Sequence, residues 1–105
     1  MSIPVEVGDL ARALQDFGTG YLLTVSSSRA VKAVSVAPAL VDGSLMVCGP
    51  GRGSVANAGV NPRVTLLFPP LLPGGLTLLV DGTATAVGED VRVEPTGAVL
   101  HKAVF

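Results

Sequence analysis

Turn-forming residues cut this chain into pieces too short for much beyond small strands and brief helices. Ser27-Ser28-Arg29, Asp42-Gly43, the glycines at 49, 51 and 53, Asn61-Pro62 and the run from Pro69 to Gly75 follow one another closely. Proline fixes φ and lacks a donor, and glycine opens angles closed to other residues, so segments between them cannot run on as long helices. Tyr21–Ser26 reads as a strand, and Val31–Val41 as its hairpin partner. Pro38 cannot donate to a ladder, which puts that part of the second strand at an edge or a bulge. Asp42-Gly43 suits the left-handed angles of a tight hairpin, so Leu45–Cys48 should return beside it.

Later in the chain, Arg63–Phe68 places Val64, Leu66 and Phe68 on one strand face. Leu76–Val87 is a long strand with Gly82 as a bend or bulge, and Val91–Val93 a further one. Pro95–Gly97 reads as a turn, with Ala98–Val104 a last strand or an extended tail. Ahead of all of these, the i, i+4, i+7 spacing of Leu10, Leu14 and Phe17 predicts one amphipathic helix over Val5–Phe17. The fold class is mainly β: a small antiparallel barrel of about six strands, with an N-terminal helix and one short helix between strands.

The 105 residues make a single domain, 1–105, of which 49% are hydrophobic and 14% charged. A domain this small buries somewhat under two-thirds of the surface its unfolded chain exposes. Apolar residues in excess of that core must lie outside a monomer, so a homodimer is expected. A net charge of −1 gives no electrostatic grip on nucleic acid or anionic lipid. Cys48 alone excludes an intrachain disulfide, and with only His101 beside it no zinc cluster is expected. No basic segment leads an apolar run as in a signal peptide, and no run is long enough for a membrane span. These features predict a soluble cytoplasmic protein.

The stretch Cys48–Pro70 is the one the rest of the chain is arranged to serve. Gly49, Gly51 and Gly53 let the backbone approach a bound group, and Ser54 is placed to cap a helix over Ser54–Gly59. The first N–H groups of that helix have no partner within it, and its dipole favours an anion there. Arg52 adds a full positive charge. The stretch is neither a P-loop, for want of Gly-Lys-Ser/Thr, nor a dinucleotide fingerprint, for want of a βαβ unit and a following acidic residue.

Asn61-Pro62-Arg63-Val64-Thr65-Leu66-Leu67-Phe68-Pro69 resembles the NPRVSLLFP segment of the pyridoxamine 5′-phosphate oxidase family, the FMN-binding split β-barrels. Asn57 precedes Pro62 as in small members reading K-x-x-N-x-x-x-x-P, and Leu79–Ala84 is similar to the family strand ending in G-x-A. The resemblance implies a homodimeric split barrel with FMN at the subunit interface. It assigns the flavin phosphate to Lys32, Arg52, Gly53 and Ser54, and flavin-ring contacts to the backbone of Val47, Cys48 and Gly49, with Asn57 nearby.

The chain also departs from the family. Ser54 stands where the family commonly has lysine, Thr77 or a neighbour replaces a flavin-contacting glutamine, and the later substrate-binding region is missing. Without tryptophan, only Tyr21, Phe17, Phe68 and Phe105 could stack on a ring. Pyridoxamine phosphate oxidation itself is therefore not expected. The resemblance implies a small flavin-dependent oxidoreductase of unassigned substrate. An F420-dependent reductase, or a non-catalytic dimeric module for flavin or haem, is the alternative. No residue demands a general acid or base role, so no catalytic residue and no metal ligand is assigned.

Overall fold

The computed structural model describes residues 1–102 and shows one antiparallel sheet of eight strands with two short α-helices. The strands are β1 (Ser2–Val5), β2 (Gly20–Val25), β3 (Val31–Val36), β4 (Ala39–Val41), β5 (Ser44–Val47), β6 (Arg63–Phe68), β7 (Thr77–Val87) and β8 (Asp90–His101). They run in the order β3-β2-β6-β7-β8-β5-β4, and β1 also pairs with β8. Leu22 of β2 and Leu45 of β5, far apart in that order, lie in one buried cluster with Val64, Leu66, Val80 and Val91. The sheet therefore curls round a single core, as the mainly β reading expected. Local turn signals undercount the strands for two reasons, one at the N-terminus and one at Pro38.

The first concerns the N-terminus. In place of one helix over Val5–Phe17, the chain forms β1, a 3₁₀ turn at Val7–Asp9 and the five-residue α1 (Leu10–Leu14). Val5 is drawn into the ladder opposite Ala98, a distant pairing that local periodicity does not register. Beyond Leu14, the N–H groups of Gln15, Asp16 and Phe17 bond carbonyls three residues back, at 3.2, 3.2 and 3.1 Å, which tightens and ends the helix. The apolar face was nonetheless read correctly, since Leu10 is buried and Leu14 and Phe17 pack on the core.

The second is Pro38, which divides Val31–Val41 into β3 and β4. Asp42 and Gly43 then take φ values of 50° and 83°, the pair of left-handed angles of a two-residue hairpin, and β5 returns along β4. Gly82 marks a bulge as expected: the register slips between Asp81 and Gly82, so that Thr96 of β8 is left without an opposite residue. That same slip carries β8 straight through Pro95–Gly97, where a turn was expected, because a bulge tolerates the proline's missing donor. Of the segment Ala98–Val104, the residues to His101 are strand; Ala103, Val104 and Phe105 lie outside the described residues.

Candidate functional site

The second helix, α2 (Arg52–Val60), sits between β5 and β6 and packs against β2, β7 and β8. With two glycines and two valines among its nine residues, it has little intrinsic helix propensity and depends on tertiary contacts. Ser54 and Ala58, one turn apart, are its buried face. Asn57 Nδ2 donates to the buried Thr24 hydroxyl of β2 at 3.1 Å. At the far end, Asn61 Nδ2 donates to the carbonyls of Val25 and Ser26 at 2.9 and 3.1 Å. The Asn-Pro motif thus ties the end of the helix to the end of β2.

The helix starts earlier than the expected Ser54–Gly59, and Ser54 does not cap it. Gly51, at φ 102° and ψ 158°, is the residue before the first turn, and Val55 N–H closes that turn on the Gly51 carbonyl at 3.1 Å. A positive φ brings the chain into the helix there with no need of a side-chain cap. Arg52, Gly53 and Ser54 therefore hold the N–H groups that α-helical geometry leaves without an internal partner. Ser54 is fully buried, and its hydroxyl has no hydrogen-bond partner among the described residues.

Lys32 comes to this same turn from β3. Its side chain shares a strand face with the half-buried Val34 and the buried Val36, and it stands opposite Thr24 in the ladder. Its ammonium rests on Gly53: a Cβ built there would lie 2.6 Å from Lys32 Nζ and 3.1 Å from Cε. Glycine is what lets the cation come this close to the helix. Neither Lys32 nor Arg52 pairs with a carboxylate, since Arg92 to Glu94 at 3.5 Å is the one salt bridge among the described residues. A cation at the positive end of a helix is unfavourable unless an anion joins it.

Of the other residues expected at the site, Gly49 alone lines the cavity beside α2. Val47 is buried in β5 opposite Val91, while Cys48 is exposed with a free thiol. Gly49 has a φ of 57°, and its N–H already donates to Asp90 Oδ1 at 2.9 Å. Asp90 was missed in the sequence, as was its neighbour Glu89; the β7–β8 turn meets the glycine loop only through the fold, and no local signal announces it. Gly49, Gly51, Arg52, Val55, Ala56, Gly88 and Glu89 line a cavity of about 440 Å³ beside α2. Among the described residues no cluster of His, Cys, Asp or Glu could hold a metal, and no helix is long and apolar enough to cross a membrane.

No known family profile matches the chain. A crystal structure of a FAD-binding protein from Mesorhizobium loti superposes with a TM-score of 0.68 at 14% identity, covering 97% of this chain and 98% of that one. A conserved hypothetical protein of Mycobacterium tuberculosis superposes at 0.59 with 19% identity, over 77% of this chain and 52% of its own. At these identities the likeness is one of fold. Two curated proteins, uncharacterized Mb0449c of Mycobacterium bovis and MT0457 of Mycobacterium tuberculosis, are each 35% identical over 117 aligned positions, 93% of this chain and 80% of theirs. The chain belongs to the same family as these uncharacterized mycobacterial proteins.

Proposed function

We propose that the chain binds a flavin mononucleotide unit, its phosphate held at the first turn of α2 by Lys32, Arg52 and the N–H groups of Arg52, Gly53 and Ser54. The observation that carries this reading is the Lys32 ammonium lying against Gly53, at a helix end already positive and unpaired with any carboxylate among the described residues. A phosphate fits that donor set: two cations, free backbone donors, and a neighbouring buried hydroxyl still without a partner. The resemblance of Asn61–Pro69 to the FMN-binding split barrels and the fold shared with a FAD-binding protein support the same ligand class. The flavin, when bound, supplies two-electron redox chemistry, which fits a small oxidoreductase of the pyridoxamine phosphate oxidase-like kind. The chain's own part is to anchor and orient: Asn57 and Asn61 hold α2 in place on β2, and Gly53 leaves room for Lys32.

The reading includes a homodimer. On the outer face of the sheet, Tyr21, Leu67, Leu79 and Val99 lie side by side across β2, β6, β7 and β8, and Tyr21 is 43% exposed. Next to them, Leu23, Val25, Val31, Arg63, Asp81 and Thr83 line a groove of about 650 Å³. Arg63 and Asp81 make no ion pair among the described residues, which leaves Arg63 of one copy free to meet Asp81 of the other across the twofold axis of the proposed dimer.

Titration of FMN and riboflavin tests the phosphate seat. Charge-assisted bonds to phosphate contribute about 1.5–3 kcal/mol each, so Lys32→Ala or Arg52→Ala should weaken FMN by roughly ten- to a hundredfold. Riboflavin, which has no phosphate, should change little. Equal losses for the two ligands, or no binding of FMN by the parent, would overturn the proposal.

A further inference from the structure

The cavity beside α2 has a composition that the phosphate seat does not explain. One wall is Val55 and Ala56; the other is peptide backbone at Gly49, Gly51 and Gly88, with φ values of 57°, 102° and 62°. A Cβ built on any of these three glycines meets no atom within 4 Å, so that wall is bare peptide facing open space. Arg52 and Glu89 both line the cavity, yet they do not pair with each other. Apolar side chains against bare peptide suit a flat ring. The Glu89 carboxylate offers acceptors, so it favours a ring bearing an amino donor over a phosphate or a carboxylate tail. Around the helix axis, Gly53, which meets Lys32, lies on a different side from Arg52, Val55 and Ala56, which line the cavity. The free N–H groups of the first turn stand between the two.

We propose that this cavity is an adenosine subsite, and that the ligand of the chain is a flavin dinucleotide spanning the N-terminus of α2. The flavin phosphate meets Lys32 at Gly53, the second phosphate lies toward Arg52, and the adenine enters between the glycine wall and Val55–Ala56 with its amino group toward Glu89. This rests on the phosphate seat proposed above and extends it from a mononucleotide to a dinucleotide. A deazaflavin with a polyanionic tail is disfavoured in the cavity by the same Glu89.

The test compares FAD with FMN on the parent, Ala56→Leu and Glu89→Ala. Both side chains are exposed, so both variants should fold, which thermal melting verifies. FAD should bind the parent at least tenfold more tightly than FMN. Each variant should lose about tenfold in FAD affinity and leave FMN unchanged. Equal affinities of the parent for the two flavins would overturn the adenosine subsite while leaving the phosphate seat standing. Equal losses of FMN and FAD in the variants would place the flavin ring, not adenine, in the cavity and also overturn it. A parent that binds neither would remove both proposals.

Discussion

Phe68 shows how much a single side chain supports here. It is 1% exposed at the end of β6, its ring centroid is 6.4 Å from that of Phe17, and the pair is tilted by 57°. The same ring closes the space over Gly20, where a Cβ would come within 2.8 Å of it. Truncation leaves a cavity that rigid strands cannot collapse, so Phe68→Ala should cost about 3–5 kcal/mol in chemical denaturation. A denaturation curve overlaying the parent's would contradict the packing. Phe68 was legible because strand alternation alone puts it with Val64 and Leu66. Lys32 was singled out only through the family resemblance; by composition it is one exposed strand lysine, and its approach to Gly53 is made across the fold. Glu89 and Asp90 were not legible at all, since nothing near them in sequence refers to residue 49.

Among the elements, those fixed by local chemistry were read well and those fixed by distant pairing were not. Asp42-Gly43 set its own hairpin, and Gly82 announced its bulge. At Gly82 a Cβ would lie 2.5 Å from Val93 Cγ1 and 2.7 Å from the Glu94 carbonyl oxygen, so the close crossing of β7 and β8 needs glycine. Gly82→Ala should therefore destabilise by about 1–3 kcal/mol, through backbone shift rather than lost burial, and thermal unfolding with unchanged denaturant slope would show it. An unshifted melting temperature would contradict that crossing. By contrast, β1 has no pattern of its own to read: Ser2 to Val5 are a strand because β8 offers them an edge. The length of α2 was misjudged because Gly51, not Ser54, begins it, and its place is set by Asn57 and Asn61 reaching β2.

On the scale of the whole molecule, the chain measures 35 × 33 × 20 Å and exposes 6322 Å². A compact monomer of this mass would expose roughly 5,500 Å². The excess, together with the apolar row Tyr21–Leu67–Leu79–Val99, favours a second copy over the outer face. Sedimentation at micromolar concentration should give twice the chain mass of 10.6 kDa. Asp81→Arg, which would set a second cation against Arg63 of the second copy in the proposed dimer, should shift that equilibrium to monomer; a parent sedimenting as monomer would refute the interface.

The order of strands also fixes the order in which the chain can become a protein. Strand β8 is the one connection between the β3-β2-β6-β7 ladder and the β4–β5 hairpin, and it holds β1 as well. Until it is synthesised, β7 and β5 each present an unpaired edge, and the first strand has nothing to join. Such edges are templates for pairing with other chains. A nascent chain stopped short of Asp90 is therefore two unlinked pieces of sheet, open to aggregation, and β8 is the strand that joins them into one sheet.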